Sequence, residues 1–358
     1  MRKLIKDFLT TLLYFVEEKG YPLPVAFKKT KDIKKVKGMN YDELYEISRL
    51  LLLSYNSLKG KRSKKVDQFL QGNYEILLPL WAREELSNYL DVKPLENSFR
   101  IKNTWVRINT LKADVDKVLK SLENQGVNFE VDKDVYYLIK VKNEVQLKKT
   151  KEFMNFEVII QDKASVLTVE SLEVEKNDKI IDLSSAPGTK ASQIMQLGEN
   201  TVELFIADVD INRLKREVDL LKKMGVDMNK VHIIHQDSTS NSMLRSDKVL
   251  LDAPCSSSGM ISNEPAIMVN LTREKVMYYS QLQRKMINEA RKIIDADYII
   301  YSVCSLFPEE GEEHFLNLKT EKPKIVGERP YIDNVNGIRL FPHINLTEGF
   351  FITKILLQ

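Results

Sequence analysis

Cys255 and Cys304 are the two cysteines of the chain, and each stands at the end of an apolar run. Leu250-Leu251-Asp252-Ala253-Pro254-Cys255 leads into Ser256-Ser257-Ser258-Gly259, which puts an acid and a thiol at one tight turn. Tyr298-Ile299-Ile300-Tyr301-Ser302-Val303-Cys304-Ser305 delivers the second thiol. Apolar runs of this length that stop at polar turns read as buried parallel strands reaching the carboxyl edge of a sheet. Ligands of open α/β sheets bind at that edge. An isolated cysteine is most often a small buried hydrophobe. Two thiols at strand ends, one of them after an acid, point instead to nucleophilic chemistry.

A third segment, Ile180-Ile181-Asp182-Leu183-Ser184-Ser185-Ala186-Pro187-Gly188-Thr189-Lys190, reads as strand, tight loop and helix start. Small residues let the backbone approach a ligand, and a helix amino terminus favours an anionic group there. It is not a Walker A loop, because the first glycine is missing and Ala191 follows Lys190. It is not a nicotinamide fingerprint either, since there is no glycine triplet. The next strand ends in Ala207-Asp208, about 20 residues on, where an acid meets ribose hydroxyls. A third strand ends Gln236-Asp237-Ser238 and a fourth ends at Asp252. Polar or acidic residues at four successive strand ends suit an adenosine cofactor with an amino-acid tail. S-adenosylmethionine fits: its carboxylate for the loop and Lys190, its ribose for Asp208, its adenine amino group for Asp237.

The elements that must position these groups follow from periodicity. Strand-like runs are Lys179–Leu183, Val202–Ala207, Val231–His235, Lys248–Leu251, Tyr298–Val303 and Phe350–Leu357, with helical stretches at Ile211–Met224 and Arg273–Ile294. Such alternation predicts a parallel sheet covered on both faces. Residues 1–90 read as helical, with Leu4, Phe8, Leu12 and Phe15 on one face and Leu44, Ile47, Leu51 and Leu52 on another. The glycine-bearing segments at Gly38 and Gly60 connect these helices, and a further helix spans Leu80 to Leu90. Residues 91–160 hold a small α+β unit, with an alternating strand at Trp105–Leu111, a helix at Val115–Leu122 and more alternation over Val127–Val141. The remainder, 161–358, is the α/β sheet.

Composition excludes several classes. With 43% hydrophobic and 29% charged residues, the 358-residue chain is of ordinary globular type. Two cysteines make no disulfide framework and have no metal-site spacing. No apolar stretch reaches the roughly 18 residues of a membrane span, and Lys6, Asp7, Glu17 and Glu18 interrupt the amino terminus where a leader would be apolar. The expectation is a cytoplasmic protein without metal. The net charge of +3 hides an asymmetry: residues 1–72 hold 16 Lys or Arg against 8 Asp or Glu. Six lysines lie within Lys28–Lys37 and five basic residues within Lys59–Lys65. Clustering at one end is the footprint of a nucleic-acid-binding appendage, or simply of a solvated face.

Taken in order, SSAPGTK (184–190), ADVDINRL (207–214), QDS (236–238), DAPCSSSG (252–259) and SVCSLFPEEGEE (302–313) resemble the Sun (NOL/NOP/Sun) family of RNA cytosine-5 methyltransferases. Val106–Lys112, Gln161–Ser165, Arg339–His343 and Thr347–Phe351 extend the likeness, which runs from about residue 80 onward. The resemblance implies a Rossmann-like S-adenosylmethionine-dependent catalytic domain, with the α+β unit as an RNA-binding subdomain. It implies that Cys304 is the nucleophile, that Cys255 aids product release and that Asp252 lies beside the target base. It also implies that Ser184, Ser185, Ala186, Pro187, Gly188, Thr189, Lys190, Asp208, Arg213, Asp237 and Asp252 line the cofactor site. Ribosomal RNA is favoured over transfer RNA, because the helical basic region resembles the extra helical domain of ribosomal-RNA members; a monomer is expected. The chain departs from the family at Thr189, where a second glycine is usual, and at Ser262-Asn263-Glu264-Pro265, which lacks an arginine often found before this proline.

The chemistry accounts for these residue types. Carbon 5 of cytosine is too weak a nucleophile to attack a methyl sulfonium. Thiolate addition at carbon 6 makes an enamine whose carbon 5 can attack, and a protonated Asp252 could relieve the charge that builds. DNA cytosine methyltransferases share only the Pro-Cys pair. Two other readings compete: an inactive RNA-binding assembly factor of the same fold, which loss of Cys304 would have favoured, and a cysteine hydrolase. The hydrolase needs a histidine at a thiol; His314 alone is near in sequence, and following Pro308-Glu309-Glu310 it reads as a helix-surface residue.

Overall fold

A computed structural model describes residues 2–357 except Lys37, Leu244 and Ile294. Lys37, the last lysine of the first basic run, and Ile294, the expected end of one helix, thus lie outside the described residues. The first layer is helical: Arg2–Lys19, Leu23–Ile33, Tyr41–Leu53 and Arg62–Leu70. Apolar spacing brings their inner faces together around Phe8, Leu9, Leu12, Leu13, Val16, Leu44, Leu51 and Leu52. Leu4, expected on that face, is 44% exposed. The helix begins a turn before its neighbours cover it, and the buried stripe runs instead through Leu9, Leu13 and Val16. Asn40 starts the third helix by accepting the Asp42 amide at 2.9 Å. The helix expected over Leu80–Leu90 stops at Leu86, and a second begins at Val92 behind the Asp91 cap.

Four short strands follow. β1 (Thr104–Ile108), β2 (Phe129–Val131), β3 (Leu138–Val141) and β4 (Val158–Ile160) form an antiparallel sheet in the order β2-β3-β1-β4. The expected alternation of β1 is not observed, since all five of its residues are buried. A strand covered on both faces has no solvent side to hold polar residues. Its Arg107 is wholly buried and crosses to the helix Thr189–Leu197, donating to Gln161 Oε1 at 2.7 Å, Ser192 Oγ at 2.6 Å and also to Gln196 Oε1. Burial without a carboxylate partner pulls this guanidinium down to about 10. Asn109 donates to Phe156 O and Met224 O, a second tie between the sheets.

The large sheet contains β5 (Lys179–Asp182), β6 (Glu203–Asp208), β7 (Val231–His235), β8 (Lys248–Asp252), β9 (Tyr298–Val303), β10 (Thr320–Glu321), β11 (Ile338–Leu340) and β12 (Phe350–Leu356). Its order is β10-β12-β9-β8-β5-β6-β7, with β11 also on β12. β5 to β9 are parallel. The expectation of a parallel sheet fails at one edge: β12 runs antiparallel to β9, from Phe351 opposite Val303 to Leu356 opposite Tyr298. β10 and β11 pair antiparallel with successive parts of β12. Periodicity finds a strand but not its direction, and a buried antiparallel strand is as apolar as a parallel one. Because the order reverses between β5 and β8, the crevice beyond their carboxyl ends is the topological switch point where such sheets bind ligands.

At that edge the loops after β8 and β9 are laced together. Gly259 N donates to Cys304 O at 3.0 Å, and Gly349 N donates to Gly259 O at 2.9 Å. A Cβ on Gly259 would fall 1.9 Å from Gly349 O, so only a glycine lets these backbones meet. Buried Arg339 of β11 holds the same loop, donating to Ser305 O at 2.7 Å and pairing with Glu312 at 2.5 Å. The helical region bolts on here too. Arg49 donates to Ser262 O at 2.9 Å and Phe99 O at 3.0 Å, and Glu264 Oε1 accepts the Leu23 amide at 2.9 Å. Gly259→Ala is expected to lower unfolding stability by about 3 kcal/mol, the cost of overpacking a closed contact. Urea unfolding monitored by tryptophan fluorescence checks this, and a loss below about 0.5 kcal/mol refutes it.

Candidate active site

The site is assembled where β5 and β8 end side by side. Leu183 N donates to Leu250 O and Ser185 N to Ala207 O, so the loop Ser184–Gly188 is pinned to both flanking strands. Gly188, at φ +99°, turns it into the helix Thr189–Leu197. Lys190, in the first turn of that helix, reaches Asp252 Oδ2 at 2.6 Å. Ser302 Oγ of β9 donates to Asp252 Oδ1 at 2.6 Å. Both oxygens of Asp252 thus accept a hydrogen bond, one from Lys190 and one from Ser302. Lys190, expected to face a cofactor carboxylate, pairs here with Asp252, since its helix starts just beyond β5 and Asp252 ends the neighbouring β8. Burial works against its ammonium, yet the charge and hydrogen bond of Asp252 hold it above the usual lysine range.

The two thiols meet. Cys255 Sγ lies 2.9 Å from Cys304 Sγ, with Cys255 buried and Cys304 half-buried. The contact with Cys304, together with burial, holds Cys255 well above the usual thiol range. Either sulfur can be the donor across this contact, and Cys304 is the more exposed of the two. Both are set from below by Glu310, which accepts from Ser256 N at 2.7 Å, Ser256 Oγ at 2.6 Å and also Ser305 Oγ. The residue after each cysteine thus hangs on one carboxylate.

On the cofactor side, Asp208 ends β6 with Arg213 Nη1 3.1 Å from its Oδ2. Arg213 also donates to Ala186 O, joining the helix Ile211–Lys223 to the loop. Ser184, Ser185, Ala186, Pro187, Gly188 and Thr189 do form one turn over the β5 end. Asp237 stands apart from them. It is exposed, and its Oδ1 accepts from Thr239 N at 2.8 Å and Thr239 Oγ1 at 2.7 Å, which lowers its pKa. A strand-end acid followed by Ser-Thr closes its own turn before it reaches for a ligand.

Four acids went unmarked in the sequence reading. Asp182 is buried at the end of β5, and burial lifts its pKa to about 7 despite the Ser184 amide. Glu217 is fully buried under the loop, accepting from Ser185 Oγ at 2.8 Å. Burial and then Asp182 push it up to about 8. Its signal was present: Leu214, Glu217 and Leu221 share the inward face of one amphipathic helix. Asp162 and Glu348 lie within electrostatic reach of Lys190. Small residues, a glycine without room for a Cβ (2.8 Å from Glu217 Cγ) and surplus carboxylates suit a ligand carrying cationic centres. S-adenosylmethionine, with its sulfonium and ammonium, is such a ligand.

His314 corrects another expectation. It lies not on a helix surface but against Tyr301 and Phe315, half-buried, with Nε2 2.9 Å from Gln283 Oε1. Burial drops it to about 3. Among the described residues no histidine bonds either thiol, so the hydrolase reading has no base.

Comparison with known proteins agrees with this arrangement. The family profile described as "16S rRNA methyltransferase RsmB/F" matches residues 169–356. The tRNA (cytosine(49)-C(5))-methyltransferase of Pyrococcus abyssi is 31% identical over 82% of this chain and 96% of its own length. The human 28S rRNA (cytosine(4447)-C(5))-methyltransferase is 29% identical over 80% of this chain. The chain spans 37% to 53% of the length of the eukaryotic relatives it matches first. The crystal structure of PH0851 superposes with a TM-score of 0.80 over 98% of both chains, at 22% identity.

Glu217 makes stability depend on pH. Its native pKa of about 8 exceeds its ordinary 4.5, so between those values the folded chain holds a proton that the unfolded chain has lost. Stability therefore falls as pH rises through that window. Glu217→Gln is neutral throughout. Relative to the parent it should unfold at a similar temperature near pH 5 and at a higher one near pH 9. A difference that does not grow with pH in calorimetric scans contradicts the assignment.

Proposed function

The chain belongs to the 16S rRNA methyltransferase RsmB/F family, and we propose on that premise that it transfers a methyl group from S-adenosylmethionine to carbon 5 of a cytosine in RNA. The observation that carries the reading is the pair of touching thiols, one buried and one half-exposed, in loops beside an ion-paired Asp252. Ser184 to Lys190, Asp182, Asp208 and Arg213 would hold the cofactor, which supplies an electrophilic methyl group. Asp237 remains in the proposal as a rim residue near the adenine.

Cys304 adds through its sulfur to carbon 6 of the base, and the displaced electron pair makes carbon 5 nucleophilic. Asp252 takes the exocyclic amino group of the base as a hydrogen-bond donor, and Lys190 offsets the charge on Asp252. After transfer the proton on carbon 5 passes to water, its electron pair restores the carbon 5–carbon 6 double bond, and Cys304 is expelled as thiolate. Cys255, held 2.9 Å from Cys304, is placed to return a proton to the sulfur site at that stage.

RNA enters in a form whose target base is unpaired or flipped out. Residues 1–90 would supply backbone affinity: Lys28, Lys29, Lys31, Lys34 and Lys35 are all exposed, and such contacts weaken with salt. Residues 91–160 would be the RNA-binding subdomain and 161–358 the catalytic domain. Ribosomal RNA is the favoured substrate, with transfer RNA second. The chain would act as a cytoplasmic monomer without metal. Among the described residues no helix is long and apolar enough to cross a membrane.

Labelled S-adenosylmethionine incubated with total RNA from cells lacking the modification tests the reading. Label recovered in 5-methylcytidine supports it, and the size of the labelled RNA chooses the substrate. Cofactor binding without label in any RNA would favour the inactive assembly factor. Cys304→Ala is expected to lose methyl transfer while keeping cofactor affinity; turnover in the folded variant removes its nucleophile role. Cys255→Ala should instead accumulate a protein–RNA adduct, visible as a slow band on a denaturing gel, and a clean gel argues against a release role.

A further inference from the structure

A cavity of about 230 Å³ opens where the small sheet meets the large one. Its walls include Thr104, Trp105, Ile160, Asp162, Asn263 and Glu348. Neither cysteine, nor Lys190, nor Asp252 lines it. Its occupant would therefore sit beside the reacting base rather than on it. The two places are nonetheless tethered, since Gly349, next to Glu348, bonds Gly259, which bonds Cys304 O.

The polar groups of this cavity are half used. Asp162 Oδ1 accepts the amides of Ala164 at 2.9 Å and Glu348 at 3.2 Å, together with Thr347 Oγ1. Glu348 Oε1 accepts from Asn263 Nδ2 at 2.7 Å. No described residue donates to Asp162 Oδ2, to Glu348 Oε2 or to the buried Asn263 Oδ1. The charged groups around Glu348 do not fill this need. Lys190 is committed to Asp252, and Lys102 at the rim is paired with Glu144 at 2.6 Å. Glu348 is more than nine-tenths buried, and burial followed by Asp162 lifts it to about 8. Burial likewise holds Asp162 above the ordinary carboxylate range. The cavity then presents more acceptors than donors, with Trp105 and Ile160 as apolar walls.

Among the four RNA bases, guanine alone carries two donors, N1–H and the N2 amino group, beside one acceptor, O6, on its pairing edge. Its two adjacent donors suit the unfilled acceptors Asp162 Oδ2, Glu348 Oε2 and Asn263 Oδ1 better than the single donor group of any other base. We propose that this cavity takes a guanine flanking the target cytosine and so reads the sequence next to the methylated base. The proposal rests on the RNA reading above. RNA-binding proteins that read sequence commonly do so on unstacked bases in this way.

The test uses the full chain and a pool of short RNAs with one fixed cytosine and randomised flanks. The pool is sequenced twice: as RNA retained by the protein on filters, and as RNA methylated after addition of S-adenosylmethionine. Guanine is expected to be enriched about tenfold or more at one flanking position, the discrimination of a good base contact. Glu348→Ala should flatten that position. With the unaltered protein, inosine in place of guanine, which lacks the N2 amino group, should lose most of the preference. Equal base frequencies, preference for another base, or guanine preference that survives both changes would overturn the proposal. Methylation without a flanking preference sinks the pocket and leaves the enzyme. Guanine enrichment in bound but unmethylated RNA does the reverse.

Discussion

The surplus of buried carboxylates over cations at one end of the sheet is the constraint on which the rest of this structure depends. Asp182, Asp208, Asp252 and Glu217 close on the same crevice, while Lys190 and Arg213 are each committed to one of them. In an apolar interior such an excess is unfavourable unless protons or a cationic ligand compensate. Burial accordingly drives Asp182 and Glu217 toward neutrality. A ligand carrying positive charge replaces those protons, so affinity for it is built into the fold before any direct contact is counted. The Lys190–Asp252 pair adds a second constraint. It spans two neighbouring strands at the switch point, and its geometry survives only while both strand ends stay in register.

Much of this was legible in the residues, because strand ends and tight turns have local signatures. Five of the parallel strands lie within a residue or two of where apolar runs predict them. Both thiols, Asp252, Lys190 and the glycine turn can be read off in order. Their roles came from a family resemblance rather than from spacing. What could not be read was relational. The direction of β12 depends on the route of the chain before it, not on the residues of the strand. That Cys255 and Cys304 touch is a fact about two loops 49 residues apart. Asp237 also has a local use that its position alone does not reveal, the turn closed by Thr239. Glu217 was overlooked because an acid on a charged helix looks solvated until its face is drawn.

The helical region illustrates a different relation. The loop Ser262–Pro265 departs from the family pattern, and it is this loop that the helices grip. Arg49 caps its Ser262 carbonyl while Glu264 accepts the first amide of the second helix. The basic surface is therefore coupled to the segment that follows the Cys255 turn. Under the proposed function, RNA held on that surface would act on this loop through a few directed bonds.

The contact between Gly259 and Gly349 has a consequence for how the protein is made. The loop carrying Cys255 is completed by a residue some 90 positions later, immediately before the strand that fills the slot beside β9. A chain emerging from the ribosome can pair β5, β6, β7 and β8 as each arrives, but the β9 edge stays open until β12 emerges. Until then the Gly259–Gly349 contact that closes the Cys255 loop is missing, and the apolar edge strand is exposed to any other unpaired strand nearby. The reactive centre is thus among the last parts of the nascent molecule to form, and its assembly coincides with the sealing of the sheet.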